Sequence, residues 1–170
     1  MFKKIHYANT SGSENIIGII NNLKNLHNGM PNNDRLMRIN ALLLNVTLEK
    51  LKFIAQNQDA TADILNILLD KFKDIKVKNK LDKEMLKIIA GNKNADAKIF
   101  DRLLKDYDGM IDTQALNFIV KSKKATREIL IKLLNEKYRG RVSEKIISEI
   151  KRKLKSKISK TEALDNLIIN

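Results

Sequence analysis

The chain has no cysteine and no tryptophan, one proline, two histidines and six glycines among its 170 residues. Without cysteine there can be no disulfide framework, zinc ribbon, thiol nucleophile or iron–sulfur site. His6 lies in the N-terminal segment and His27 at the end of a helical pattern, and neither has catalytic partners nearby in sequence, which argues against a Ser-His-Asp triad. No apolar run approaches the ~20 residues that a membrane span needs. No apolar stretch of signal-peptide length follows Lys3 and Lys4. Walker A and Rossmann glycine patterns are absent too. What remains is 43% hydrophobic and 31% charged, a balance that excludes collagen-like and wholly disordered chains. The expectation is a cytoplasmic, all-α single domain, large enough to bury roughly 70% of its unfolded surface.

The charge is uneven. Residues 1–120 hold 18 basic and 14 acidic side chains, whereas residues 121–160 hold 15 basic and four acidic. Such asymmetry points to a polyanion partner, most commonly nucleic acid or an anionic membrane surface. A solvated surface in a lysine-rich protein is the bland alternative.

Internal repetition organises the chain. Residues 51–72, 86–107 and 116–138 align almost without gaps. Each begins with a Leu, followed two and three positions later by an apolar pair: Phe53/Ile54, Ile88/Ile89 and Phe118/Ile119. A polar hinge follows, with Ala60, Ala95 and Ala125 at one common position. Next come Ile64, Leu65, Leu68 and Leu69, then Ile99, Phe100, Leu103 and Leu104, then Ile129, Leu130, Leu133 and Leu134. Their spacing of i, i+1, i+4, i+5 puts each set on one side of an α-helix. Phe72, Tyr107 and Tyr138 close the units, which suits packing better than base stacking. Thr61, Asp96 and Thr126 are the expected caps of the second helices. The joints repeat as well, Tyr107-Asp-Gly109 matching Tyr138-Arg-Gly140. Each Gly is expected to take the left-handed conformation that ends a helix. Asp112 or Thr113, and Ser143, would cap the helices that follow. The first joint, KDIKVKNKLD, is longer and has no Gly.

The recurring N-x-[DN]-A-x-x-x-[IL]-[LF]-x-x-[LI]-L hinge, with Asn57 and Asn92 in its first position and Ser122 replacing them in the third unit, resembles the leucine-rich-repeat variant motif. That family is a helical-repeat relative of HEAT and armadillo proteins. The resemblance covers residues 49–140, lacks the family's prolines, and has units longer than its usual ~24–30 residues. It implies a short right-handed α-solenoid of helix pairs with helical caps at both ends, and no particular activity. Units of such a stack bury their apolar faces only against neighbours. On this reading residues 1–12 are loose, 13–46 form an N-terminal helical cap, 47–141 hold three helix pairs, and 142–170 form a basic C-terminal cap. The N-terminal cap has a helix over 14–27, capped by Ser13, and a second over 34–45; Thr47 caps the first repeat helix. The C-terminal cap has a long helix over 143–157, with Val142 and Ile147 placed for a hydrophobic staple. A Ser159-Lys-Thr-Glu162 capping box then starts a last short helix.

Five of the seven residues in KRKLKSK, 151–157, are basic. Cations at a helix C-terminus also complement the macrodipole, so structure alone gives them some purpose. The candidate phosphate-contacting set is Lys121, Lys123, Lys124, Arg127, Arg139, Arg141, Lys145, Lys151, Arg152, Lys153, Lys155, Lys157 and Lys160. Lysine outnumbers arginine 26 to seven and no aromatic occurs after Tyr138, which favours backbone contacts over base readout. The leading expectation is therefore a non-enzymatic binder of DNA or RNA backbone with low sequence specificity. The alternative is a scaffold that holds a partner peptide or helix on a concave face; attachment to anionic membrane ranks third. HEAT-like alkylpurine glycosylases rely on Trp, which this chain lacks. Asp106-Tyr-Asp108-Gly-Met-Ile-Asp112 faintly resembles a calcium loop but lacks its third early ligand and its closing Glu. No cofactor or metal is expected.

Overall fold

The computed structural model describes residues 16, 18–22, 25, 32–43, 46–74, 80–135, 138 and 140–168, excepting the side chains of 32, 74, 80–82 and 157–168. Helices and short connections account for these residues, and no strand occurs among them. Chain contacts divide into two compact units, Met1–Ile75 and Lys76–Asn170. The division falls inside the long joint that has no Gly.

In the first unit, α1 spans Asn32–Leu42, α2 Leu48–Gln56 and α3 Ala62–Asp74. α3 packs against both α1 and α2. Ile39, Leu43, Leu51, Ile54, Leu65 and Leu68 form the buried core, and Arg35 of α1 pairs with Asp63 of α3. Thr47 occupies the N-cap position of α2, but its side chain makes no capping bond, contrary to expectation. Of the expected helix over 14–27, residues 16, 18–22 and 25 are described and are helical, with Ile20 buried. Ser13 and residues 1–12 lie outside the described residues.

In the second unit, α4 spans Lys80–Gly91, α5 Ala97–Asp106, α6 Thr113–Lys121, α7 Arg127–Leu133 and α8 Glu144–Ile168. α6 lies between α4 and α8, α5 packs on α4 and α7, and α7 also touches α8. The i, i+1, i+4, i+5 residues supply the core: Ile99, Phe100, Leu103, Leu104, Ile129, Leu130 and Leu133 are all buried. Leu134 is the exception, because α7 ends one residue earlier and leaves it half-buried.

The three hinges are built alike, bond for bond. The side-chain oxygen at the first position accepts from the backbone N–H two residues on: Asn57 from Asp59 at 2.8 Å, Asn92 from Asn94 at 2.8 Å, and Ser122 from Lys124 at 3.2 Å. Ser122 thus reproduces the local turn that Asn makes elsewhere, as Ser and Asn both can. Carbonyls of the same three residues accept from Ala60, Ala95 and Ala125. Thr61, Asp96 and Thr126 then accept from Ile64, Ile99 and Ile129 at 3.5, 3.0 and 3.4 Å, as expected of N-caps.

The joints also repeat, but not through glycine. Tyr107 O accepts from the N–H groups of Met110 and Ile111, and Tyr138 O from those of Arg141 and Val142. Neither Gly109 nor Gly140 has a left-handed φ, and a Cβ at either would meet nothing within 4 Å. The carbonyl of the closing tyrosine turns the chain, so the glycines are not conformationally required. Asp112, not Thr113, caps α6 by accepting from Ala115 at 2.7 Å, and Ser143 does the same for Ile146 at 3.4 Å. No break occurs at Ser159: α8 runs unbroken to Ile168. The capping-box residues lie within a helix already under way, so no second N-terminus forms there.

Candidate nucleic-acid interface

α6 is tied to α8 and the residues before it at both of its own ends. At its start, Thr113 Oγ1 donates to the Arg141 carbonyl at 3.0 Å. At the far end, Lys153 Nζ donates to the carbonyls of Val120 and Ser122 at 2.5 and 3.1 Å. The two helices therefore run side by side in one direction. Between them lies a groove of about 490 Å³ lined by Thr113, Gln114, Asn117, Lys121, Ser143, Lys145, Ile146 and Glu149.

Lys153, named in the candidate set, is engaged within the fold. Helix ends leave carbonyls without intrahelical partners, and a lysine ammonium can satisfy them. Lys153 does so for α6 and is half-buried, so it does not lie on the exposed arc of α8. Its effect is to hold the basic run of α8 beside the 122–126 hinge. Lys121, Lys123, Lys124 and Arg127 from the hinge region, and Lys151 and Lys155 from α8, are exposed and form no ion pair with a described residue. Arg152 is exposed as well but grips Glu149 with two bonds of 2.9 and 2.7 Å. That guanidinium holds the Glu149 carboxyl below the usual carboxylate range, with the charges of Lys153 and Lys121 adding to the effect.

Arg141 is likewise engaged within the fold. It pairs with Asp108 Oδ1 at 3.0 Å, donates to the Asp108 carbonyl at 2.7 Å and to the Ile111 carbonyl, and stacks over Tyr138 at 5.5 Å. Its fork of donors binds the preceding joint, leaving little to offer a phosphate. The carboxylates of the calcium-like loop are engaged within the fold: Asp106 pairs with Arg102 at 3.7 Å, Asp108 pairs with Arg141, and Asp112 caps α6. Lys145 is exposed in the first turn of α8, at the opposite end of α6 from the hinge, about 14 Å away at 1.5 Å per residue. Arg139 lies outside the described residues, as do the side chains of Lys157 and Lys160.

One feature was hidden in the apolar pairs of the repeat. The second member of each pair is core, Ile54, Ile89 and Ile119 all being buried, whereas Phe118 is 41% exposed. Its counterpart in α8 is Glu149, a charged residue at the same register. That correspondence was the signal that the position faces outward. The tyrosines behave oppositely: Tyr107 and Tyr138 are buried, and the Tyr138 hydroxyl donates to the Leu104 carbonyl at 2.9 Å.

Comparison of the chain with known families, with curated proteins and with solved structures gives no match.

Proposed function

We propose that the chain is a non-enzymatic, cytoplasmic protein whose 76–170 unit binds the phosphate backbone of nucleic acid along the hinge edge. The observation that carries this reading is the Lys153 bridge, which sets the exposed cations of α8 beside Lys121, Lys123 and Lys124. That unit holds 24 basic against 13 acidic side chains, a net of +11 out of the chain's +13. Lysines on one edge that pair with no described residue attract a polyanion without reading its sequence.

The architecture is read as a right-handed solenoid of helix pairs. Repetition of the hinge bonds supports this, and so does the pairing of α4 with α6, α6 with α8 and α5 with α7. α8 would be the terminal cap. Val120 of α6 is fully buried, but the matching position of α8 is Lys151, exposed and charged, as an outermost helix requires.

The test is titration of nucleic acid across a salt series. Counterion release makes log K fall linearly with log salt, and replacing Lys151, Arg152 and Lys155 by Gln should flatten that slope by ~2–3 units. Absence of binding at ~50 mM salt removes this reading. A protein scaffold is the second reading, favoured by the groove between α6 and α8, where the side-chain amides of Gln114 and Asn117 could meet a partner's backbone.

A further inference from the structure

We infer that Phe118 is a stacking platform for an unpaired base, so that the nucleic acid bound is single-stranded. This inference rests on the backbone-binding reading above and narrows it. Phe118 is 41% exposed, and its ring still has a neighbour in the fold. It rests on Gly91 of α4: a Cβ built there would lie 3.4 Å from two of the ring carbons. Gly91 has no side chain to cover the Cγ, Cδ2 and Cε2 atoms of the ring, and the residue remains open to solvent. An aromatic ring packed beside backbone and open to solvent is what a stacked base requires.

The surroundings fit the same ligand. Lys121 lies one turn further along α6, on the exposed side, and leads directly into Lys123 and Lys124. Gln114 lies one turn back, also exposed, and Asn117 is adjacent and half-buried. Residues three and four apart share a helix face, so an amide, an aromatic ring and a cation follow one another along α6. A strand with its phosphates on the hinge lysines could bring a base over the ring and its polar edge towards Gln114. A duplex cannot do this without unstacking, because its bases are already covered on both faces.

The experiment uses the full chain and three fluorescein-labelled 20-mers: oligo(dT), oligo(rU) and a mixed-sequence duplex. A fourth probe is the oligo(dT) strand with tetrahydrofuran abasic sites, which keeps every phosphate and removes bases. Phe118→Leu keeps apolar packing on Gly91 and removes the ring; Phe118→Tyr restores a ring. The expected result is tighter binding of both single strands than of duplex. Phe118→Leu should lose roughly 5- to 150-fold on single strands, with little change on duplex and none in the salt slope. Phe118→Tyr should recover most of that loss. The wild-type chain should lose a similar factor on the abasic strand, where the Leu variant loses little more. If single strands and duplex bind equally, or the Leu variant binds oligo(dT) as the wild type does, the platform is overturned and backbone binding stands. If no probe binds at ~50 mM salt, backbone binding itself has failed and the platform goes with it.

Discussion

Arg141 shows how a cation that looks available in a basic stretch can be occupied by the fold. Its three partners belong to the joint that precedes α6, so Arg141→Ala should destabilise by ~2 kcal/mol, in the range of hydrogen bonds involving charged groups. Arg141→Lys should recover only part of this, since an ammonium cannot replace a planar fork. Urea denaturation measures both; a loss of nucleic-acid affinity without loss of stability would contradict the assignment. Gly109→Ala and Gly140→Ala are expected to be neutral or stabilising by up to ~1 kcal/mol, because neither position needs a left-handed backbone and Ala restricts the unfolded chain. Destabilisation beyond ~1 kcal/mol in urea melts would show that the left-handed turn is needed after all. Tyr138 adds a dependence on pH. Burial first, and then the neighbouring Asp108 carboxylate, push its hydroxyl up to about 12 from 10.0. A raised folded-state value favours the protonated form, so its contribution is complete below pH 10 and disappears as pH rises through about 12. Stability should fall over that interval in the wild type, and less steeply in Tyr138→Phe.

At the scale of the element, the hinge is the repeated device. Three side-chain turns and three N-caps make six local bonds that hold the second helices in place after the first ones stop. Asp96 offers a carboxylate at 3.0 Å, whereas Thr61 and Thr126 offer hydroxyls at 3.5 and 3.4 Å. Asp96→Ala should therefore cost ~1–2 kcal/mol and each Thr→Ala ~0.5–1 kcal/mol, as measured by denaturant midpoint. An effect confined to one of the three would break the equivalence of the hinges. α8 differs from the other first helices because it has no hinge. At the register of Ser122 it carries Lys153, which does not turn the chain but reaches back to close the end of α6.

For the whole molecule, the question is whether charge acts by place or by sum. Replacing Lys151, Arg152 and Lys155 with Gln removes three cations from the proposed edge. Replacing Lys50, Lys71 and Lys73 removes three from the 1–75 unit. Lys52 is unsuitable for that control because it is buried and paired with Glu49 at 3.4 Å. The first variant should weaken binding to all sequences and flatten the salt slope, and the second should do much less. Equal losses would mean that net charge alone drives association.

Local order was legible from one dimension. Helical periodicity, the three hinges and their caps depend on residues within about ten positions of each other, and such short-range chemistry repeats wherever the sequence repeats. The fate of individual charges and rings was not legible, because it depends on neighbours about 30 positions away. Lys153 meets Val120 and Ser122, Arg141 meets Asp108 and Ile111, and Phe118 rests on Gly91. Only the packing of one helix pair against the next decides which lysine closes a helix and which faces solvent. The same packing decides which member of an apolar pair is left in the open, because burial and hydrogen bonding are properties of the assembled surface and not of the residue.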